Sequence, residues 1–378
     1  MLPLSLLPLC LGVAHGLSLP RQEAENGPAP IALGFSVLKT VGNITAKEFW
    51  SQHSAERAKR DGYPIPIVDY RDISYRLDVY LGSDAQKSTV NLDTGSSDLW
   101  VYSSDYDPST SSTSKDTGDA FSIGYLDGTS SAGEYYLDTL KFSTPNPVLS
   151  SFQFARSTSS SAYGVLGIAD RNQERALSEY DNLPWALQAA GITPKASYSL
   201  FLGAEGGSGT VIFGGIDTEK YVGNLTKYSA QKSRGALAVN LQTMLVNGKT
   251  LSVDAPAILD SGTSLGLLPL EYMSELDSVF DTTVYTQGSI EYRLVSCDQP
   301  SDKYLDFDFG NNTIQIAYSD MVYHQGNDEC LLGFGSYGSY MIFGDVFLRQ
   351  AYVYYDLSDL TISLAQASYS SSSNIISA

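Results

Sequence analysis

Histidine and cysteine are both scarce in this sequence. The 378 residues contain three of each, and His324 is the only histidine after residue 60. A serine-histidine hydrolase needs a histidine base, and a zinc hydrolase needs clustered His or Cys ligands, such as those of an HExxH motif, which does not occur here. The sequence therefore argues against both classes of hydrolase.

Basic charge is also scarce. There are 23 basic and 42 acidic side chains, which give a net charge of −19 and a pI near 4.4. Such a surface repels phosphate, so we expect no nucleic-acid partner. Charged residues make up 17% and hydrophobic residues 43% of the chain, a balance that argues against wholesale disorder.

Long hydrophobic runs are missing apart from residues 1–13, which are too short for the roughly 20 residues of a membrane-spanning helix. Small residues follow this run, so we interpret 1–16 as a signal peptide of a secreted, extracellular protein without a membrane anchor. Residues 17–60 resemble a pro-segment that ends at Lys59 and Arg60, where a dibasic processing protease would cut. Residues 1–60 hold six basic and four acidic side chains, against 17 and 38 in the remainder.

The remaining sequence favours an all-β fold. Glycine (33) and tyrosine (26) are plentiful, and short β-prone runs alternate with turn residues. Two short helices are predicted, from Leu183 to Ala190 and from Pro269 to Phe280, each with a proline near its start.

The clearest pattern is an internal duplication. Residues 92–97 read LDTGSS and residues 259–264 read LDSGTS, each after a β-prone run. Each copy is followed by two apolar residues and a glycine, at 165–167 and 342–344. Two copies in the same order predict two related lobes, which we place at 61–235 and 236–378.

The duplicated aspartates suggest a chemistry. If the lobes face each other, Asp93 and Asp260 share one site, and two adjacent carboxylates hold a single proton between them. One can then deprotonate a water while the other protonates a substrate oxygen. Aspartic proteases are the established example of this pattern. A glycosidase could also use paired carboxylates, but the repeated Asp-hydroxyl-Gly elements would then be unexplained.

On these motifs, the chain from about residue 61 onward resembles a pepsin-family aspartic protease, closest to the secreted fungal candidapepsins. Further support comes from the stretches YGVLG at 163–167, FGGID at 213–217 and ISLAQ at 362–366. The resemblance implies a bilobal, mainly β acid-protease fold, a monomer, no metal or other cofactor, and a peptide or unfolded-protein substrate. It also implies inhibition by pepstatin-type compounds.

The resemblance implies roles for individual residues. Asp93 and Asp260 would hold the attacking water. The residues after each aspartate would support the carboxylates or bind the substrate: Thr94, Gly95 and Ser96, and Ser261, Gly262, Thr263 and Ser264.

A flap hairpin is implied to close over the substrate through Tyr125, Leu126 and Asp127. Leu126 departs from the family pattern, which has glycine after the tyrosine, and so leaves subsite specificity open. The family implies bulky apolar side chains beside the scissile bond, whereas the acidic surface could favour basic ones. A catalytically inactive relative that binds peptides or proteins is the alternative function, although both aspartate motifs are intact.

Two covalent modifications are expected of a secreted protein. Cys297 and Cys330 are the only cysteines that remain after signal cleavage, so a disulfide is predicted between them. Glycosylation motifs occur at Asn224 and Asn311.

Overall fold

The computed structural model describes residues 28–39, 73–126, 128–142, 149–160, 164–204, 208–326 and 329–378. The predicted signal peptide, most of the predicted pro-segment with Lys59 and Arg60, and Asp127 lie outside these ranges.

A 13-stranded sheet dominates the described structure, in the order β12-β26-β25-β9-β10-β1-β2-β3-β8-β4-β7-β6-β5. Its strands come from both ends of the chain. They are β1 Ile31–Lys39, β2 Ile73–Leu81, β3 Gln86–Asp93, β4 Leu99–Tyr102, β5 Lys115–Gly124, β6 Ser130–Lys141, β7 Leu149–Ser160, β8 Val165–Gly167, β9 Ser197–Phe201, β10 Ser208–Phe213, β12 Tyr221–Ser229, β25 Ala351–Asp356 and β26 Thr361–Ala367.

An eight-stranded sheet is built mainly from the second half of the chain, in the order β20-β19-β14-β15-β24-β16-β23 with β13 paired to β14. Its strands are β13 Gln231–Ser233, β14 Ala236–Val246, β15 Lys249–Leu259, β16 Gly266–Leu267, β19 Tyr304–Asp308, β20 Thr313–Ala317, β23 Phe334–Gly335 and β24 Ile342–Phe343.

Two smaller sheets complete the strands. One has four strands, β17 Thr283–Gln287, β18 Ile290–Val295, β21 Val322–Gly326 and β22 Glu329–Leu332. The other joins β11 Gly215–Asp217 to β27 Ile375–Ser377. We refer to residues 73–229 as the N-terminal lobe and to 231–348 as the C-terminal lobe. The chain passes between the two large sheets from β12 to β13 and returns to the first with β25 and β26.

Three helices are short: α1 Leu183–Ala189, α2 Leu270–Phe280 and α3 Asp345–Leu348. The first two confirm the predicted helices. Pro184 lies in the first turn of α1, whereas Pro269 is extended and immediately precedes α2. None of the helices in the described ranges is long and apolar enough to span a bilayer.

β1 lies inside the predicted pro-segment and occupies the middle of the 13-stranded sheet. It pairs antiparallel with β2 and β10, for example through Val37 opposite Tyr75. Phe35 and Val37 are buried in the main hydrophobic core. This strand is therefore integrated into the described fold rather than packed on its surface.

The two halves of each sequence repeat lie side by side. Leu92 pairs in parallel with Leu166 of β8, and Leu259 pairs in parallel with Phe343 of β24. All four side chains belong to one hydrophobic core that runs through both lobes. The mainly β, two-lobed prediction with few short helices is confirmed, and the core fixes where the aspartate loops begin.

Candidate active site

Each aspartate of the duplicated motif lies where a core strand ends. β3 ends at Asp93, and Asp260 directly follows the last residue of β15. The preceding residues Leu92 and Leu259 are about 1% exposed. Because these leucines are held in the core, the two loops that follow them project from fixed positions.

Hydroxyl groups bond the two loops to each other. Thr94 Oγ1 donates to the Leu259 carbonyl at 3.0 Å and accepts from the Ser261 N–H at 2.9 Å. In the mirror arrangement, Ser261 Oγ donates to the Leu92 carbonyl and accepts from the Thr94 N–H, both at 3.1 Å. These four buried bonds relate the loops by an approximate twofold axis and fix their separation.

The Asp93 carboxylate is held by its own loop. The Gly95 N–H donates to Oδ1 at 2.7 Å, and the Ser96 hydroxyl donates to Oδ2 at 2.5 Å. The side chain is 7% exposed. Both bonds stabilise the ionised form, and they orient the carboxylate toward the other loop.

The Asp260 carboxylate is held in the same way. The Gly262 N–H donates to Oδ1 at 2.8 Å, and the Thr263 hydroxyl donates to Oδ2 at 2.6 Å. Asp260 is partly exposed rather than buried.

The glycines show how closely the loops approach. A Cβ atom on Gly95 would lie 2.5 Å from Oδ1 of Asp260, and a Cβ on Gly262 would lie 2.5 Å from Oδ1 of Asp93. Neither position tolerates a side chain, so glycine is required for the two carboxylates to meet.

Electrostatics at the site favour one shared proton. The pKa of Asp93 is raised to about 7, first because the carboxyl is buried and second because the Asp260 carboxylate faces it. The bonds from Ser96 and Gly95 oppose this shift. Around neutral pH and below, the pair therefore holds a proton that an isolated aspartate would release.

Two further glycines let the second sequence elements pack against the aspartate loops. A Cβ on Gly167 would lie 2.6 Å from the Ser97 N, and a Cβ on Gly344 would lie 2.1 Å from the Thr263 carbonyl oxygen. Ser264, the last predicted site residue of the second loop, is 8% exposed. Close backbone contact therefore explains the glycine at the end of each second element.

The predicted flap is a hairpin formed by β5 and β6. The Tyr125 N–H donates to the Thr129 carbonyl at 2.9 Å, and the Tyr125 hydroxyl accepts from Trp100 Nε1 at 2.8 Å. Leu126, at the turn, is 46% exposed. Asp127, the third predicted flap residue, lies outside the described residues.

Sequence reasoning missed a buried network behind the flap. Asp98 is 1% exposed and accepts bonds from the Tyr135 hydroxyl at 2.8 Å and the Tyr180 hydroxyl at 2.9 Å. Burial raises the pKa of Asp98. The network holds the start of β4, and hence Trp100, in place. Asp98 stands next to the first motif, but its tyrosine partners are 37 and 82 residues away.

The predicted disulfide is confirmed between Cys297 and Cys330. His324 Nδ1 lies 3.3 Å from Cys330 Sγ, and these three side chains are close enough together to bind a metal ion. Because the two sulfurs are bonded to each other, they are not free to act as thiolate ligands. Asn224 and Asn311 are both exposed.

Comparison with known proteins agrees with this geometry. The sequence matches the family described as eukaryotic aspartyl protease over residues 74–367. It is 37% identical to secreted aspartic protease 3 of Candida albicans, over 93% of each chain. It is 35% identical to candidapepsin of Candida tropicalis, over 96% of this chain and 94% of the relative.

Among solved structures, the aspartic proteinase from Irpex lacteus is similar in fold. The TM-score is 0.68 at 20% identity, over 79% of this chain and 96% of the other. With the sequence matches, this similarity leads to one assignment: the chain belongs to the eukaryotic aspartyl protease family and is an aspartic-type endopeptidase.

Proposed function

We propose that the protein is a secreted endopeptidase that cleaves extended peptide segments at acidic pH, with a water activated between Asp93 and Asp260. The observation that carries this proposal is the mutual approach of the two loops, in which each glycine leaves room for the opposite carboxylate. Two carboxylates so placed can bind one water between them and hold one proton.

The chemistry follows from that single proton. The ionised carboxylate of the pair takes a proton from the water as its oxygen attacks the scissile carbonyl carbon, and the protonated carboxyl gives its proton to the carbonyl oxygen. The resulting tetrahedral diol collapses when the leaving nitrogen is protonated and the C–N bond breaks. The products are a carboxylic acid and an amine, and the pair regains one proton.

The surrounding residues divide into two groups by contact. Ser96 and Thr263 donate to the outer carboxylate oxygens, so they keep one carboxylate ionised when the other is protonated. Thr94 and Ser261 hold the loop separation. The peptide would lie between the loops and the Tyr125 hairpin, where closure excludes water from the reaction.

Secretion and maturation are part of the proposal. The relative from Candida albicans is named a secreted aspartic protease, which supports the signal-peptide interpretation of residues 1–16. We propose cleavage after Lys59 and Arg60 by a dibasic-specific protease, and a monomeric mature enzyme that is inhibited by pepstatin-type compounds.

The direct test is digestion of a denatured protein at about pH 4, with and without pepstatin. Asp93→Asn and Asp260→Asn, which are near-isosteric, serve as matched variants. We expect pepstatin-sensitive cleavage by the wild type and losses of about 10²- to 10⁴-fold in each variant. Processed, folded wild type that cleaves nothing would contradict the proposal.

A further inference from the structure

Asn91 is a polar residue on the catalytic strand that faces the substrate side. Its neighbours Val90 and Leu92 point into the main core. Side chains alternate along a strand, so Asn91 points to the opposite face, the same one as Asp93. Asn91 lies two positions before Asp93 on the strand, so their Cα atoms are roughly 6.6 Å apart.

The Asn91 side chain has no hydrogen-bond partner among the described residues. Its amide oxygen is buried and unbonded, although the residue as a whole is partly exposed. A buried amide group left unpaired costs roughly 1–3 kcal/mol. A structural asparagine would be satisfied by its neighbours, so this one is suited to an external partner.

The neighbours of Asn91 place it under the flap. Val165 lies beside it in register on β8 and belongs to the cluster that contains Trp100 and contacts Tyr125. On its other side, Arg76 is its register partner on β2. Asn91 is therefore a polar position at the edge of an apolar wall, opposite a basic residue on the neighbouring strand.

We propose that Asn91 is a specificity-determining residue that hydrogen-bonds an uncharged polar side chain, above all a carboxamide, beside the scissile bond. This inference rests on the proposed function, since it requires a peptide bound across Asp93. It makes the substrate preference different from the bulky apolar one that the family resemblance implies.

The chemistry narrows the substrate class. The Asn91 amide both donates and accepts, so the side chains of Asn and Gln are its best complement. Arg76 on the same face disfavours a lysine or arginine at this position, and the Asp93–Asp260 pair disfavours a carboxylate. An apolar side chain would leave the buried amide of Asn91 unpaired, which is the situation that enzymes discriminate against most strongly.

The test compares peptides that differ at one residue next to the scissile bond. Leu, Asn, Gln, Lys and Glu are placed in turn on each side of the bond, and kcat/KM is measured for the wild type, Asn91→Leu and Asn91→Ser. We expect the Asn-to-Leu ratio of kcat/KM to be about tenfold higher in the wild type than in Asn91→Leu at one of the two positions. Activity on the Leu peptide should rise in Asn91→Leu, because an apolar substrate side chain then leaves no amide unpaired.

A stability measurement separates this role from a structural one. Asn91→Leu removes an unpaired amide, so its thermal midpoint should equal or exceed that of the wild type. A structural asparagine would instead lower it. The wild-type cleavage profile on a random peptide library gives an independent measure, with Asn and Gln expected to be enriched at one position.

Each other outcome has a definite meaning. Equal Asn-to-Leu ratios in the wild type and Asn91→Leu at both positions, or a library profile that selects only apolar residues, would overturn the inference while leaving the protease function intact. Preference for Lys or Glu at the position that Asn91 controls would also overturn it. If the wild type cleaves neither peptides nor denatured protein, the proposed function fails and the inference fails with it.

Discussion

The two lobes carry nearly the same aspartate loop in different surroundings. In both, a glycine N–H and a hydroxyl hold the carboxylate at 2.5–2.8 Å. Asp93 is buried, whereas Asp260 is partly exposed. The disulfide, in contrast, lies in the C-terminal lobe.

The pKa values of the carboxyl groups also differ between the two lobes. Among the described residues, the carboxyl groups with a raised pKa, Asp93, Asp98 and Glu174, all lie in the N-terminal lobe. Burial is the largest cause in each. The two aspartate loops thus have matching geometry. The N-terminal lobe buries carboxyl groups that retain their protons, and the C-terminal lobe contains the disulfide.

Removing the disulfide should give the largest difference between the lobes, because it destabilises the C-terminal lobe alone. The Cys297→Ala, Cys330→Ala double variant opens a loop of sequence separation 33, at a cost of about 3–4 kcal/mol in the chain-entropy treatment. Hydrogen exchange should rise in β18 and β22 and stay unchanged in β3. Equally faster hydrogen exchange in both lobes would show that the disulfide does not act on the C-terminal lobe alone.

Raising the pH should destabilise the N-terminal lobe. A carboxyl whose pKa is higher in the folded state adds stability that is fully present below its unfolded pKa and is lost as pH rises through the folded value. Burial favours the neutral forms and raises the pKa of Asp93 to about 7 and that of Glu174 to about 8. The stability that these groups add is therefore lost as the pH rises to those values.

Trp100 and Trp185 report this transition, since both lie in the N-terminal lobe. We expect the mature wild type to unfold at a lower denaturant concentration at about pH 8 than at about pH 4, and Glu174→Gln to lose less. Identical pH dependence in the two proteins would contradict the assignment to Glu174.

Adding one methyl group at the loop glycine of either lobe should reduce activity by a similar factor. In Gly95→Ala and Gly262→Ala the new Cβ would lie 2.5 Å from the opposite carboxylate oxygen. To relieve this contact the carboxylate must move, and a misplacement of about 1 Å in a catalytic group costs about 10²-fold in rate. The loss is measured as kcat/KM. Little effect at Gly95 or Gly262 would refute the close approach of the loops.

The bonds between the loops should give the smallest difference. Thr94→Val and Ser261→Ala each remove the hydroxyl from two of the four cross-bonds. Each variant should lose about 1–3 kcal/mol of unfolding free energy, by denaturant titration. A large cost at one position with none at the other would disprove the twofold arrangement.

Local sequence signals predicted the parts of the site that depend on local chain geometry. The repeats predicted the two loops and their second elements because Leu92 and Leu259 mark core strands and the glycines mark close contacts. The Asp98 network and the place of β1 in the 13-stranded sheet were not predicted, because they depend on pairing between distant segments. The unpaired amide oxygen of Asn91 was not predicted either, because it depends on which side chains surround it in the folded structure.

In the proposed mechanism, one proton shared by Asp93 and Asp260 drives hydrolysis. The most direct measurement is kcat/KM of the mature enzyme for one peptide from about pH 3 to about pH 8. A shared proton predicts that activity falls as pH rises through about 7, where Asp93 loses that proton, and that Asp93→Asn and Asp260→Asn lose about 10²- to 10⁴-fold of it at every pH. A flat wild-type profile from about pH 4 to about pH 8 would contradict it.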